Sequence, residues 1–314
     1  MTGTGDSEVR RRGVVMRGTG GVYDVRTDDG RLFEVSMRGR LKREGAEKLA
    51  VGDEVLIEED SRGGTWAIAE LLPRRSRLAR RAPGGAHDER IVVANIDQVV
   101  VVFAAAKPEP HVRMLDRFLV IAEANDIPAR IVINKTDLAD ERAAREKFAA
   151  YAAAGYPIHL TSVTEGRGLE ALHDTLRGRV SALSGPSGVG KSSLLNAMYP
   201  GLNLRVGEIS ESVNKGRHTT VGAALHPIPD GGYVVDTPGL REVGVWGIAS
   251  ESLDQCFPEF VPFLGKCRFA DCSHLHEPGC AVRDAITAGR VNRDRWESYG
   301  KLREEMGGGG RKGS

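Results

Sequence analysis

The sequence predicts three successive units: a small N-terminal all-β barrel, a central α/β domain whose sheet is covered on both faces, and a C-terminal, mainly helical unit. Three observations predict them. Short period-2 stretches separated by Gly/Asp turns fill the first seventy or so residues. From Ile91, continuous apolar strand text alternates with helical periodicity. Three of the four cysteines crowd between Cys267 and Cys280, which is a metal signal rather than a disulfide framework. A chain of 314 residues exceeds the roughly 100–200 of one typical domain, which agrees with several units.

The barrel strands are read at Val14-Val15, Val22 to Val25, Leu32 to Val35, Val55 to Ile57 and Trp66 to Ile68. They place a barrel over residues 10–72, after a polar, disordered N-terminus at 1–9. Residues 73–88 read as a basic linker, because Arg74, Arg75, Arg77, Arg80 and Arg81 occur there before Pro83-Gly84-Gly85. Such a segment is either a solvated connector or an arginine-rich strip laid along phosphates. The α/β domain spans 89–247. Its strands are expected at Val99 to Phe103, Ala129 to Ile133, Pro157 to Thr161 and Val180 to Leu183, with helices at Val112 to Ala122, Asp140 to Ala154 and Leu169 to Leu176. Residues 248–306 form the C-terminal unit and 307–314 a disordered, glycine-rich tail.

Composition excludes other classes. With 44 Lys+Arg against 43 Asp+Glu, whole-molecule charge selects no partner. The longest apolar run, Val99 to Ala106, falls far short of the roughly 20 residues of a membrane span, so a soluble cytoplasmic protein without membrane association is expected.

Gly185-Pro186-Ser187-Gly188-Val189-Gly190-Lys191-Ser192 matches the phosphate loop G-x-x-x-x-G-K-[ST] between a strand and helical text. Its N–H groups, with Ser193 in the first helical turn, converge on phosphate oxygens; Lys191 reaches the β- and γ-phosphates and Ser192 ligates Mg²⁺. Asp236-Thr237-Pro238-Gly239 follows strand text, so Asp236 is placed to reach the same Mg²⁺ and Gly239 the γ-phosphate. Asn134-Lys135-Thr136-Asp137 also follows a strand. An aspartate at 137 accepts two parallel hydrogen bonds from guanine N1–H and its exocyclic amine, which adenine does not offer, and so selects GTP. Thr161-Ser162-Val163 can present a backbone N–H to guanine O6. Asn134 precedes the phosphate loop, the reverse of the Ras-like order, and this is the mark of a circular permutation.

Between the phosphate loop and Asp236, Asn214 to Thr220 reads as a first switch in which Thr219 or Thr220 meets Mg²⁺ and the γ-phosphate. Leu240 stands where Ras-like enzymes hold a water-orienting glutamine; His218 is the candidate to replace it, with a structural or RNA-contacting role as the alternative. Gly188 stands where potassium-activated relatives carry asparagine. Cys267-x₄-Cys272-x-His274-x₅-Cys280 is a Cys₃His donor set suited to one structural zinc, with His276 as a competing imidazole and Cys256 as a small core residue.

In that order the N-K-T-D, G-x-S-G-V-G-K-S-S-L, G-R-H-T-T, D-T-P-G and cysteine–histidine elements resemble the RsgA family, also called YjeQ or YloQ, over residues from about 13 to 300. The resemblance implies an OB-fold barrel, a circularly permuted P-loop GTPase domain and a zinc-binding C-terminal domain. It further implies a monomeric late factor in 30S maturation that binds 16S rRNA near the decoding region, hydrolyses GTP to GDP faster when bound there, and is released afterwards. The family's switch histidine matches His218 and its hydrophobic replacement for glutamine matches Leu240. Two other readings remain: an RNA-binding module that uses GTP as a structural switch with negligible turnover, and a tRNA-modification GTPase, for which no additional catalytic domain is visible.

Overall fold

The computed structural model describes residues 10–38, 49–59, 64–81, 89–202, 223–236, 248 and 250–308. Its N-terminal unit is a closed barrel of β1 (Arg10–Thr19), β2 (Val22–Thr27), β3 (Leu32–Met37), β4 (Glu54–Glu59) and β5 (Trp66–Leu71), joined in the order β1-β2-β3-β5-β4. Only β3 and β5 run parallel. This is the five-stranded OB topology. Val15, Val25, Val35, Val55, Ile57 and Ile68 fill the interior. A register shift between Val15 and Arg17 lets two consecutive side chains be buried: Val15 inside the barrel, and Met16 outside it, in the core of the next domain.

The stretch expected as a basic linker carries structure. β6 (Arg77–Arg81) pairs antiparallel with β7 (Glu89–Ala94), and Leu78 and Val93 are fully buried. Arg74 and Arg75, read as part of an arginine-rich strip, are paired with carboxylates of the chain itself. Arg74 forms a bidentate pair with Asp53, its Nε 2.6 Å and Nη2 2.8 Å from the carboxylate oxygens, and Asp53 is wholly buried. Arg75 pairs with Asp97 at 2.9 Å. A buried carboxylate needs such a partner, and Arg74 supplies it.

The central sheet has the order β10-β9-β8-β11-β13-β12, from β8 (Gln98–Ala104), β9 (Ala129–Asn134), β10 (Ile158–Leu160), β11 (Val180–Ser184), β12 (Ala224–Pro227) and β13 (Tyr233–Asp236). All pairs are parallel except β12 with β13. Helices α1 (Val112–Glu123), α2 (Glu141–Lys147) and α3 (Ala149–Ala153) cover one face; α4 (Leu169–Leu176) and α5 (Lys191–Met198) cover the other. The single helix expected over Asp140 to Ala154 is two, broken at Phe148, whose φ of −105° and ψ of 7° leave the helical region while its ring is buried. The chain enters the sheet at its middle, runs to one edge at β10, returns through β11, passes to the other edge at β12 and ends with β13 between β12 and β11. The opposed crossovers from β8 and β11 make a topological switch point at their carboxyl ends.

The C-terminal unit contains two 3₁₀ segments, Ser250–Cys256 and Val261–Phe263, followed by α6 (Ala281–Thr287) and α7 (Arg293–Gly308), so helix continues two residues into the expected tail; residues 309–314 lie outside those described. Phe257, Phe260 and Tyr299 pack with ring centroids 5.1–5.4 Å apart, and Val120 of α1 reaches into this core. Arg295 of α7 fastens the unit to the α/β domain. Its side chain is 2% exposed, forked onto Glu259 and bonded to Asp116 of α1, with the Phe257 and Tyr151 rings at 4.6 and 5.0 Å. Among the described residues no helix is long and apolar enough to cross a membrane.

Replacing Arg295 by Met removes the cation from buried Asp116 and half-buried Glu259, which costs about 3–5 kcal/mol. The expected result is a large drop in the denaturant midpoint measured by circular dichroism.

Candidate nucleotide site and metal centre

The phosphate loop leaves the carboxyl end of β11 and ends at Gly190, the N-cap of α5. Two glycines are obligatory. Gly185 has φ of +133°, and a Cβ there would lie 2.0 Å from the Val102 carbonyl oxygen. At Gly190, with φ of +97°, a Cβ would lie 2.5 Å from Asn134 Nδ2. Ser187 and Gly188 are exposed at the tip, Pro186 is half-buried and Val189 is buried in the core. Lys191 is 5% exposed, and its Nζ donates to the carbonyls of Gly185 at 2.9 Å and Pro186 at 2.7 Å. The ammonium is therefore curled over the loop. Ser192 is buried in the first turn of α5, with Ser193 beside it.

The N-K-T-D segment leaves β9, two strands from β11, and is tied to the loop directly. Asn134 Nδ2 donates to the Val189 carbonyl at 2.9 Å, while its Oδ1 accepts from Thr161 Oγ1 at 3.1 Å. Lys135, at φ of +60°, donates from Nζ to the carbonyls of Gly188 and Lys107, both at 2.6 Å. Ser162 Oγ donates to Asp137 Oδ1 at 2.6 Å and fixes one carboxylate oxygen. The N–H groups of Thr161 and Ser162 are already bonded to the carbonyls of Ile133 and Arg167, so of the three residues expected to offer an amide to a base, Val163 is the one still able to. Asp236 ends β13 opposite Leu183 in register, at the same end of the sheet as the loop. His218, Thr219, Thr220, Gly239 and Leu240 lie outside the described residues.

In the C-terminal unit, Cys267, Cys272, His274 and Cys280 bring their ligand atoms within 4.8 Å of one another. A tetrahedral zinc with usual bond lengths separates its sulfurs by roughly 3.8 Å and sulfur from nitrogen by roughly 3.6 Å. Cys267 and Cys280 Sγ are 4.0 Å apart, and both approach His274 Nδ1, at 3.5 and 3.4 Å. The residues fit zinc. They place Nδ1 as the donor, while Nε2 faces Asp254 at 3.2 Å, a carboxylate that orients the ring. His276 is exposed and is not in the cluster. Cys256 is buried in the core as expected.

Asp254 and Glu277 had no signal in the sequence. Glu277 organises the ligand loop: burial pushes its carboxyl up, but bonds from the Ser273 hydroxyl and amide and from the amides of Leu275 and His276 outweigh that and hold it well below the usual carboxylate range.

A phosphate loop at a sheet's switch point, an N-K-T-D segment two strands away that is tied to it through Asn134, and the permuted strand order together define a circularly permuted P-loop GTPase. The RsgA GTPase family model matches residues 71–246, and the RsgA N-terminal domain model matches residues 12–66. A curated relative from Gemmatimonas aurantiaca, named small ribosomal subunit biogenesis GTPase RsgA, is 63% identical over 94% of this chain and 97% of its own. The solved structure of YjeQ from Thermotoga maritima superposes with a TM-score of 0.80 at 36% identity, covering 95% of this chain and 99% of that one. The structure of YloQ, described as a circularly permuted GTPase, gives 0.75 at 28% identity with both chains fully covered. The chain belongs to the RsgA GTPase family, and it is a GTP hydrolase.

Asp137→Asn is expected to move nucleotide preference from GTP to xanthosine triphosphate, read by competition binding; unchanged preference would remove Asp137 from the base contact. Stripping metal with a chelator is expected to release one zinc per chain and to lower the melting temperature, and Cys280→Ser to do the same without added chelator.

Proposed function

We propose that this GTPase is a late-stage maturation factor of the 30S ribosomal subunit, acting in the cytoplasm as a monomer. In this reading it binds 16S rRNA near the decoding region, hydrolyses GTP faster when bound there, and leaves after hydrolysis. The observation that carries the reading is the joining of a guanine-selective site to an OB barrel in one chain, across which both RsgA family models match. OB barrels bind oligonucleotides, which supports contact with RNA.

In the proposed reaction, water attacks the γ-phosphorus and the bond to the β–γ bridging oxygen breaks, giving GDP and phosphate. The backbone N–H groups between Gly185 and Ser193, Pro186 having none, hold the phosphates, and Lys191 leaves its loop carbonyls to neutralise charge on the β- and γ-oxygens. Ser192 and Asp236, with Thr219 or Thr220, are the oxygen donors for magnesium, which when bound neutralises developing phosphate charge. Asp137, held by Ser162, reads guanine, the Val163 amide faces O6, and Gly239 meets the γ-phosphate. His218 orients the attacking water, since Leu240 has no hydrogen-bonding group. Zinc on Cys267, Cys272, His274 and Cys280 is structural, with four protein donors and no open position.

GTP turnover measured with and without purified 30S subunits, using 50S as control, tests the reading. Stimulation by 30S alone is expected; none, despite GTP binding, would favour an RNA-binding switch with negligible turnover. His218→Ala is expected to lower the 30S-stimulated kcat by 10²-fold or more, the order of a lost acid–base group, with KM for GTP unchanged.

A further inference from the structure

The carboxyl ends of the strands hold the nucleotide site; their amino ends carry a second concentration of charge that no part of the GTPase reaction uses. Gln98 at the start of β8 is buried. Its Oε1 accepts from Arg130 Nε on β9 at 2.8 Å, and its Nε2 donates to the Thr175 carbonyl at 2.9 Å. The same carbonyl accepts from Arg179 Nη1 at 2.9 Å. The Gln98 amide thereby links the two guanidinium groups, Arg130 on its oxygen and Arg179 on the Thr175 carbonyl to which its nitrogen donates. Arg179 is also fixed along its backbone, its N–H on the Leu176 carbonyl and its carbonyl on the Tyr233 N–H.

Neither arginine has a carboxylate within 4.0 Å among the described residues. The nearby acids are engaged elsewhere: Asp97 with Arg75 and the Val180 N–H, Asp174 with Arg177, and Asp230 with His173. Like charge dominates here. Burial, and after it the charge of Arg179, holds Arg130 below its ordinary value, and burial followed by Arg130 does the same to His159 on β10. Two guanidiniums brought together by neutral oxygens, with unused N–H groups on each, form a fork for an oxyanion.

We infer that Arg130 and Arg179 clamp one backbone phosphate of RNA at the amino-terminal edge of the sheet, a contact made by the α/β domain itself. The inference rests on the 30S reading above. RNA supplies the uncompensated anionic charge that this edge lacks, and a phosphate accepts N–H groups from two guanidiniums at once.

The test measures 30S affinity of the full-length, zinc-loaded protein as a function of salt for wild type, Arg179→Gln and the double variant Arg130→Gln/Arg179→Gln. The double variant is expected to bind roughly tenfold more weakly near 0.1 M salt, with the slope of log affinity against log salt reduced by about one. GTP binding and turnover without 30S should be unchanged. Arg179→Gln, an exposed change, is expected to show part of the effect and serves alone if the double variant misfolds. An unchanged slope while wild type binds 30S would overturn the clamp and leave the 30S reading intact. Weaker 30S binding with unaltered affinity for protein-free 16S rRNA would also overturn it, by assigning the contact to an acidic protein. If wild type shows no salt-dependent binding to 30S, the 30S reading itself fails; the clamp then stands or falls on the same slope measured with protein-free RNA.

Discussion

The nucleotide site depends on one close approach. Asn134 lies so near Gly190 that no side chain fits between them, and its amide bridges the Val189 carbonyl on one side and the Thr161 hydroxyl on the other. One buried residue thus sets the spacing between the phosphate loop, the N-K-T-D loop and the loop at Thr161. Lys135 adds a second tie through Gly188, and Thr136 a third through the Thr161 carbonyl. Asn134 and Thr136 are buried, so unpaired each would carry a desolvation penalty of about 1–3 kcal/mol. The arrangement is therefore stable only when all three loops are in register, which is the condition for holding phosphates and base together.

The same logic joins the three units. Asp53 of the barrel and Asp116 of the α/β domain are both buried carboxylates, and each is matched by an arginine from another part of the chain, Arg74 and Arg295. A buried pair of this kind contributes little net stability over a well-packed apolar contact, but leaving either member unpaired is costly. Ion pairs so placed act as registration marks. The apolar area around them, from Met16 through Leu78 and Val93 into the sheet, supplies the adhesion.

Much of this was legible in the sequence because it is local. A phosphate loop, N-K-T-D and D-T-P-G each occupy a few consecutive residues on the end of an apolar strand, and the cysteine–histidine cluster spans Cys267 to Cys280. Strand alternation likewise exposed the barrel. What escaped was non-local. Arg295 and Asp116 are 179 residues apart, and neither sits in a pattern that names its partner. Arg74 and Arg75 look in sequence like free cations beside other arginines, and only the fold shows that carboxylates from the barrel and from the β7–β8 turn meet them. Asp254 and Glu277 were hidden for the same reason: a carboxylate that orients a ligand leaves no spacing rule.

The permutation follows from what a sheet requires. Parallel strands need the right neighbours and shielded faces, and neither condition fixes the order in which the chain visits them. Joining the edge strand β10 through α4 to β11 closes the gap that permutation leaves, so the loop, Asn134 and Asp137 meet as they would in the unpermuted order. What changes is the attachment of the last strand. The next described residue after Asp236 is Ile248, packed on the core of the C-terminal unit, and among the described residues no strand of the sheet follows β13. That unit is held a second time by Arg295 on α1, a helix that follows the loop whose Lys107 carbonyl binds Lys135. The C-terminal unit therefore follows β13 along the chain and is held non-covalently to α1, the helix after the loop whose Lys107 carbonyl accepts from Lys135.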